Sequence, residues 1–169
     1  MHFEEDYLYH LYNRSNQLLF EQRENYLYFL EKFRRYISPY ADVIAWCLMP
    51  NHFHFMICPS KEATEIVKEK HLPNTQILSK QFGTFLSSYT KAINKQQNRR
   101  GNLFAHNTKA EKINEVILDS HQNKSSYAAT CFRYIHNNPV EAEIVVKPGD
   151  WEFSSFIDYT GKRKGSLIN

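Results

Sequence analysis

The sequence predicts an α+β fold in which one antiparallel sheet carries helices packed on one face. Three observations lead there. Residues 7–14 and 52–58 alternate with the period of a strand. Residues 24–37 and 76–97 carry apolar side chains at helical spacing. A Pro50-Asn51 break joins two strands as a hairpin.

Along the chain, residues 7–14 put Leu8, His10, Tyr12 and Arg14 on one face of a strand, and Ser15, Asn16 and Gln17 form a turn. Residues 24–37 form a helix with Tyr26, Leu27, Leu30, Phe33, Arg34 and Ile37 at i, i+3, i+4, i+7 spacing, and Pro39 stops it. Residues 42–48 are a strand of buried character, and residues 52–58 pair back on it. Residues 59–75 are polar and read as a loop with at most one helical turn. Residues 76–97 form a long helix lined by Ile77, Phe82, Phe85, Leu86, Tyr89 and Ile93. Residues 99–112 read as a basic loop turning at Gly101, with Leu103 and Phe104 as an apolar anchor. Residues 113–117 are either a short strand or the first turn of a helix. Ser125 or Ser126 caps a helix through Tyr127, Ala128, Cys131, Phe132 and Ile135, which Asn138-Pro139 is expected to end. Residues 141–147 are a candidate last strand. Residues 151–159 are an aromatic segment expected to pack back, and residues 160–169 a frayed basic tail.

A chain of 169 residues suits a single domain, with its core over about residues 7–159. Apolar residues make up 42% and charged residues 23%, which fits a folded soluble domain. No stretch approaches the length of a membrane span. Three cysteines, at 47, 58 and 131, do not make a disulfide framework, and Glu4, Glu5 and Asp6 stand where the apolar region of a signal peptide would begin. A reducing cytoplasm is the expected setting. Eleven Tyr and twelve Phe exceed what such a core needs, and aromatic faces can stack unpaired bases. The net charge of +3 is unevenly spread: residues 91–112 hold Lys91, Lys95, Arg99, Arg100, Lys109 and Lys112 against Glu111 alone. Such a patch suits phosphate backbones, although a solvated face is the commoner meaning of a charge run.

His52 and His54 are two apart on a strand, so both imidazoles project from one face about 7 Å apart along the chain, while Phe53, Phe55 and Ile57 face the other way. Two such rings can hold a divalent ion with a third ligand from elsewhere. A lone His-x-His is more often unremarkable, so a second motif matters. Eighty residues beyond His54, Tyr134 and Asn138 stand at i and i+4 of the last helix and share a face. A phenol is a potential nucleophile and an amide a potential oxygen ligand. Taken singly, Tyr134 also reads as a core-edge tyrosine and Asn138 as a C-terminal cap.

Together these segments carry a resemblance. Ala45-Trp46-Cys47-Leu48-Met49-Pro50-Asn51-His52-Phe53-His54 resembles the HUH motif of the single-tyrosine transposases, nearest to those associated with repetitive extragenic palindromes (REP). Tyr9-His10-Leu11-Tyr12-Asn13-Arg14 resembles that group's first strand, and Arg100-Gly101-Asn102-Leu103-Phe104 its basic turn. Residues 134–142, with Trp151, Ser154 and Ser155, resemble its C-terminal signature. After the Leu-Phe pair this chain departs from the group's basic-aromatic run with Ala105-His106-Asn107-Thr108.

The resemblance implies a ferredoxin-like α+β sandwich, with His52, His54 and Asn138 as ligands of Mg²⁺ or Mn²⁺ and Tyr134 as nucleophile. The implied reaction cuts and rejoins single-stranded DNA at hairpins through a 5′-phosphotyrosine link, with no nucleotide cofactor. Arg14 and the basic run 91–112 would follow the phosphates, and His10 and His136 are candidates for supporting roles. Small members of the wider class are dimers exchanging the tyrosine helix, whereas the palindrome-associated group can act as monomers. Tyr89 is a second candidate phenol, set among Phe85, Leu86 and Ile93. Two other readings stand beside this one. One is a non-catalytic single-strand binding module, since ferredoxin-like sheets with surface aromatics bind RNA elsewhere. The other is structural zinc at Cys47, His52, His54 and Cys58, which hairpin parity and the missing C-x2-4-C spacing disfavour.

Overall fold

Aromatic and aliphatic residues alternate through the two halves of the central hairpin, a pattern that buries one sheet face completely. The computed structural model describes residues 1–105, 107–113, 127–165 and 167. Among them run β1 (Leu8–Arg14), α1 (Arg23–Tyr36), β2 (Ala41–Met49), β3 (His52–Pro59), the single turn α2 (Lys61–Thr64), α3 (Ile77–Gln96), β4 (Lys109–Ile113), α4 (Tyr127–Glu141) and the short α5 (Phe156–Tyr159). The four strands form one antiparallel sheet in the order β2-β3-β1-β4. With α1 and α3 as the two crossovers, this is the βαββαβ ferredoxin-like arrangement. The α+β class, the antiparallel sheet and the helical layer on one face are as the sequence predicts.

Register decides which residues meet. Met49 pairs with His52 across the Pro50-Asn51 turn, and Leu48 with Phe53. Trp46, Leu48, Phe53, Phe55, Tyr9 and Leu11 therefore face α1 and α3 and join Phe29, Phe33, Phe82, Phe85 and Tyr89 in the main core. The Phe33 and Phe55 rings stack 3.9 Å apart. The other face carries a smaller core of Ala45, Cys47, Met49, Met56 and Ile113, covered by Ala128, Cys131 and Ile135 of α4. So α4 lies against the side of the sheet opposite α1 and α3. No helix among the described residues is long and apolar enough to cross a membrane.

Several local expectations change. The basic stretch 99–112 is not all loop: β4 begins at Lys109, and its Lys-Ala-Glu-Lys-Ile pattern is polar on both sides because it is an edge strand. Residues 114–117, expected as strand or helix, and the caps Ser125 and Ser126 lie outside the described residues. Asn138-Pro139 does not end α4, which runs on to Glu141 with Pro139 buried. Proline removes the helix donor that the Ile135 carbonyl would accept, and beside it the Asn138 side-chain amide donates back to the Tyr134 carbonyl at 3.0 Å.

Residues 141–147 are a helix end and turns, with Glu143 in the left-handed region (φ 56°), rather than a strand. The outer edge of β2 is covered by a later segment. Leu48 N–H donates to Phe153 O, Ser155 N–H to Trp46 O, and Trp151 Nε1–H to Leu48 O. Nor is the tail frayed throughout: Arg163 donates to Asp158 at 2.7 and 2.8 Å and to the carbonyls of Glu152 and Ser154, and Leu167 is buried.

Candidate active site

The antiparallel register sets Tyr12 opposite His54 and Arg14 opposite His52, so His10, Tyr12 and Arg14 share a face with both histidines. Glu111 joins them from β4, directly across from His10. Tyr127, Thr130, Cys131 and Tyr134 line the overlying side of α4, at the three- and four-residue spacings that put side chains on one helix face. Between floor and helix lies a cleft of about 660 Å³.

The side chains singled out in the sequence meet at one end of it. His52 Nε2 stands 3.4 Å from Asn138 Oδ1. The His52 ring is 5.1 Å from that of His54, nearly perpendicular to it. The Tyr134 ring stands edge-on to His54 at 5.4 Å and to His10 at 6.0 Å. Tyr134 is 42% exposed, so its ring is open to the cleft, whereas His54 and Asn138 are buried. His52 Nδ1 lies 2.7 Å from Asn51 Oδ1, which leaves Nε2 as the nitrogen aimed at Asn138. His10 Nε2 and His54 Nδ1 are 2.9 Å apart.

Burial keeps these imidazoles neutral. It pushes His54 down to about 3, with the neighbouring His10 and His52 adding to the effect. Burial also lowers His52, opposed by the nearby Asn138 oxygen and reinforced by the charge of Arg14. His10 is lowered by burial, opposed by Glu111. Tyr12 Oη donates to Glu111 at 2.5 Å, and that carboxylate holds the phenol proton and pushes Tyr12 up to about 12.

A solved structure shares this scaffold. A REP-associated tyrosine transposase bound to a REP hairpin is similar to the chain with a TM-score of 0.67, covering 100% of this chain and 86% of the other, at 14% sequence identity. The likeness is one of fold. No family model and no curated protein sequence matches the chain.

Two imidazoles and an amide oxygen are donors that can hold a divalent ion. Neutral imidazoles offer lone pairs, and two adjacent ligands of a six-coordinate ion with bonds of about 2.1 Å stand about 3 Å apart, close to the His52–Asn138 separation. The third donor is an amide: among the described residues no three His, Cys, Asp or Glu side chains are grouped to hold an ion. Zinc at the cysteines does not fit, for a reason other than parity. Cys47 pairs with His54 and Cys58 lies an even number of residues along β3, so both share the histidine face. But Cys58 stands about 13 Å along the strand from His54, and burial raises the Cys47 thiol far above its ordinary value.

The basic candidates divide. Arg14 lines the cleft, and Lys109 lines an adjoining hollow with Tyr12, Asn13 and Arg14. Lys95, Arg99 and Arg100 lie in or just beyond the last turn of α3, and the chain that follows them reaches Arg14, whose carbonyl accepts from Ala105 N–H. Lys91 does not join them: it lies on α3, lining a groove with Ser87 and Ser88 across the sheet from the cleft. Lys112 points to the helical side as well, because it pairs with Tyr9. It is bound to Glu4 at 2.8 Å and stands over the Tyr7 ring.

His136 is also elsewhere, with Nε2 2.7 Å from Ser155 Oγ. Tyr89 is wholly buried and donates to the Leu19 carbonyl. Sequence reasoning missed Tyr12, Glu111, Tyr127 and Thr130 as cleft residues. The signal for Tyr12 was its shared parity with His10 and Arg14, and Glu111 was the lone acid of the basic run.

Proposed function

We propose that the chain is a metal-dependent single-stranded DNA transposase-like endonuclease and strand transferase, which cuts and rejoins DNA at hairpins through a 5′-phosphotyrosine link. What carries this reading is the Tyr134 ring standing against His54 in a cleft that His52 also lines, with Asn138 beside His52, on a fold like that of a hairpin-bound REP-associated tyrosine transposase. His52, His54 and Asn138 would hold Mg²⁺ or Mn²⁺. A divalent ion, when bound, supplies positive charge to the nonbridging oxygens of the scissile phosphate.

The Tyr134 oxygen forms a bond to phosphorus as the bond from phosphorus to the 3′-oxygen breaks. The 3′-oxygen leaves as a hydroxyl, so the proton lost by the phenol is matched by one gained there. Rejoining reverses this: a 3′-hydroxyl attacks the ester and Tyr134 regains its proton. The ester conserves the phosphodiester's bond energy, so no nucleotide cofactor is consumed. Arg14 and Lys109, with Lys95, Arg99 and Arg100 beyond, carry the sign to hold flanking phosphates. The exposed Tyr127 ring offers a face to an unpaired base.

The test is incubation with a single-stranded hairpin oligonucleotide and Mn²⁺, followed by a denaturing gel. A covalent adduct that a chelator prevents and Tyr134→Phe abolishes is expected. Adduct at the wild-type level in Tyr134→Phe would remove the assigned nucleophile. Binding without adduct under any divalent ion supports a non-catalytic single-strand binding module instead.

A further inference from the structure

We propose that His10 is a positioning residue that sets the tautomer of His54 and so determines which of its ring nitrogens is open to an ion. The proposal rests on the reading of His52, His54 and Asn138 as ion ligands.

The decisive observation is the 2.9 Å separation of His10 Nε2 and His54 Nδ1. A neutral imidazole has one N–H and one bare nitrogen, so a single proton lies between the two rings. If His54 Nδ1 carries it, His54 Nε2 is bare and free to ligate. If His10 Nε2 carries it, the His54 proton sits on Nε2 and closes that nitrogen. Metal-binding histidines are commonly fixed by a carboxylate or carbonyl accepting the second N–H, and losing that partner weakens metal binding about 10–100-fold. Here an imidazole takes that place.

Its geometry is built in from several sides. His10 pairs with Met56 across β1 and β3, so its ring reaches diagonally to His54 and stacks on it with centroids 5.1 Å apart and an interplanar angle of 23°. Tyr12 stands 5.0 Å from the His10 ring and 5.9 Å from that of His54. The Tyr12 hydroxyl is tied to Glu111, so this flanking ring is anchored. The Tyr134 ring stands 6.0 Å from His10, nearly perpendicular to it. His54 is 5% exposed, leaving little room for water to replace His10 as acceptor.

Two measurements test this. In the ¹⁵N-labelled wild-type protein near neutral pH, nitrogen shifts of the histidine rings should show His54 protonated at Nδ1. An Nε2–H tautomer overturns the proposal. In Mn²⁺ titrations followed by electron paramagnetic resonance, His10→Phe should bind Mn²⁺ about 10–100-fold more weakly than wild type. His10→Gln, whose amide oxygen can accept the same hydrogen bond, should recover most of that loss. Circular dichroism confirms that both variants are folded. Wild-type affinity in His10→Phe, or no recovery in His10→Gln, overturns the role. If adducts form normally while His10→Phe binds Mn²⁺ like wild type, this inference fails and the strand-transferase reading stands. If Mn²⁺ binding follows His10 as expected but no adduct ever forms, the inference stands and that reading fails.

Discussion

His52 Nε2 and Asn138 Oδ1 face each other across 3.4 Å, although 86 residues separate them in the chain. The adjacent asparagine does not share this position: Asn137 is exposed, while Asn138 is buried and donates its amide to the Tyr134 carbonyl. That bond leaves Oδ1 turned toward His52. Asn138→Ala should therefore weaken Mn²⁺ binding at least as much as loss of an outer-shell partner does, about 10–100-fold, and Asn137→Ala should leave it unchanged. Calorimetric titration with Mn²⁺ separates the two, and equal losses would mean that helix register does not select the ligand.

The tyrosine helix packs over its own chain's histidines, with the Tyr134 ring 5.4 Å from that of His54. This placement predicts chemistry within one copy. Tyr134→Phe and His54→Ala should each fail to form DNA adduct, and an equimolar mixture should fail too. If helices were exchanged between two copies, a mixed pair would assemble one intact site and the mixture would regain about a quarter of wild-type adduct by simple pairing statistics. A denaturing gel of the mixture decides between them.

Charges on the cleft side and on the helical side should behave differently toward DNA. Arg14 and Lys109 face the cleft and its adjoining hollow, whereas Lys112 is held by Glu4 on the other side of the sheet. Each phosphate contact to a single strand contributes about 0.7 to the slope of log affinity against log salt. Arg14→Ala and Lys109→Ala should each weaken single-strand binding and flatten that slope by about this amount. Lys112→Ala should change neither. Fluorescence anisotropy at several salt concentrations measures both quantities, and a slope in Lys112→Ala as flat as in Arg14→Ala contradicts the division.

The legible parts of the sequence were those where one face is buried and the other is not. Residues 52–58 alternate because Phe53, Phe55 and Ile57 enter the main core, and that alternation placed His52 and His54 side by side. β4 has no such contrast. Lys109, Glu111 and Lys112 sit on an edge strand where solvent tolerates charge on either side, so the only local signal there was charge. At Asn138-Pro139 a sound local rule gave way to tertiary context, since the proline is buried where α4 packs on the sheet. The anchoring of the tail by Arg163 and Asp158 follows no period at all, and pairings of that kind emerge only with the fold.

Alkaline pH should expose the buried phenols of the main core. Burial pushes Tyr26 up to about 12 and raises Tyr89 as well, so both stay protonated in the folded state where the unfolded chain ionises near 10. Above about pH 10 the unfolded state has therefore released protons that the native state still holds, and stability falls as pH rises through that window. The shift at Tyr26 alone corresponds to about 3 kcal/mol. Tyr89→Phe tests the sign in both directions. It removes the hydrogen bond to the Leu19 carbonyl, which should lower stability at neutral pH by about 1 kcal/mol. It also removes one ionisation that drives alkaline unfolding, so the deficit relative to wild type should shrink or reverse above pH 10. Urea unfolding at neutral and alkaline pH reads both effects. A deficit that stays constant across the range, or a wild-type phenolate absorbance fully developed before circular dichroism changes, would show that burial is not what holds those protons.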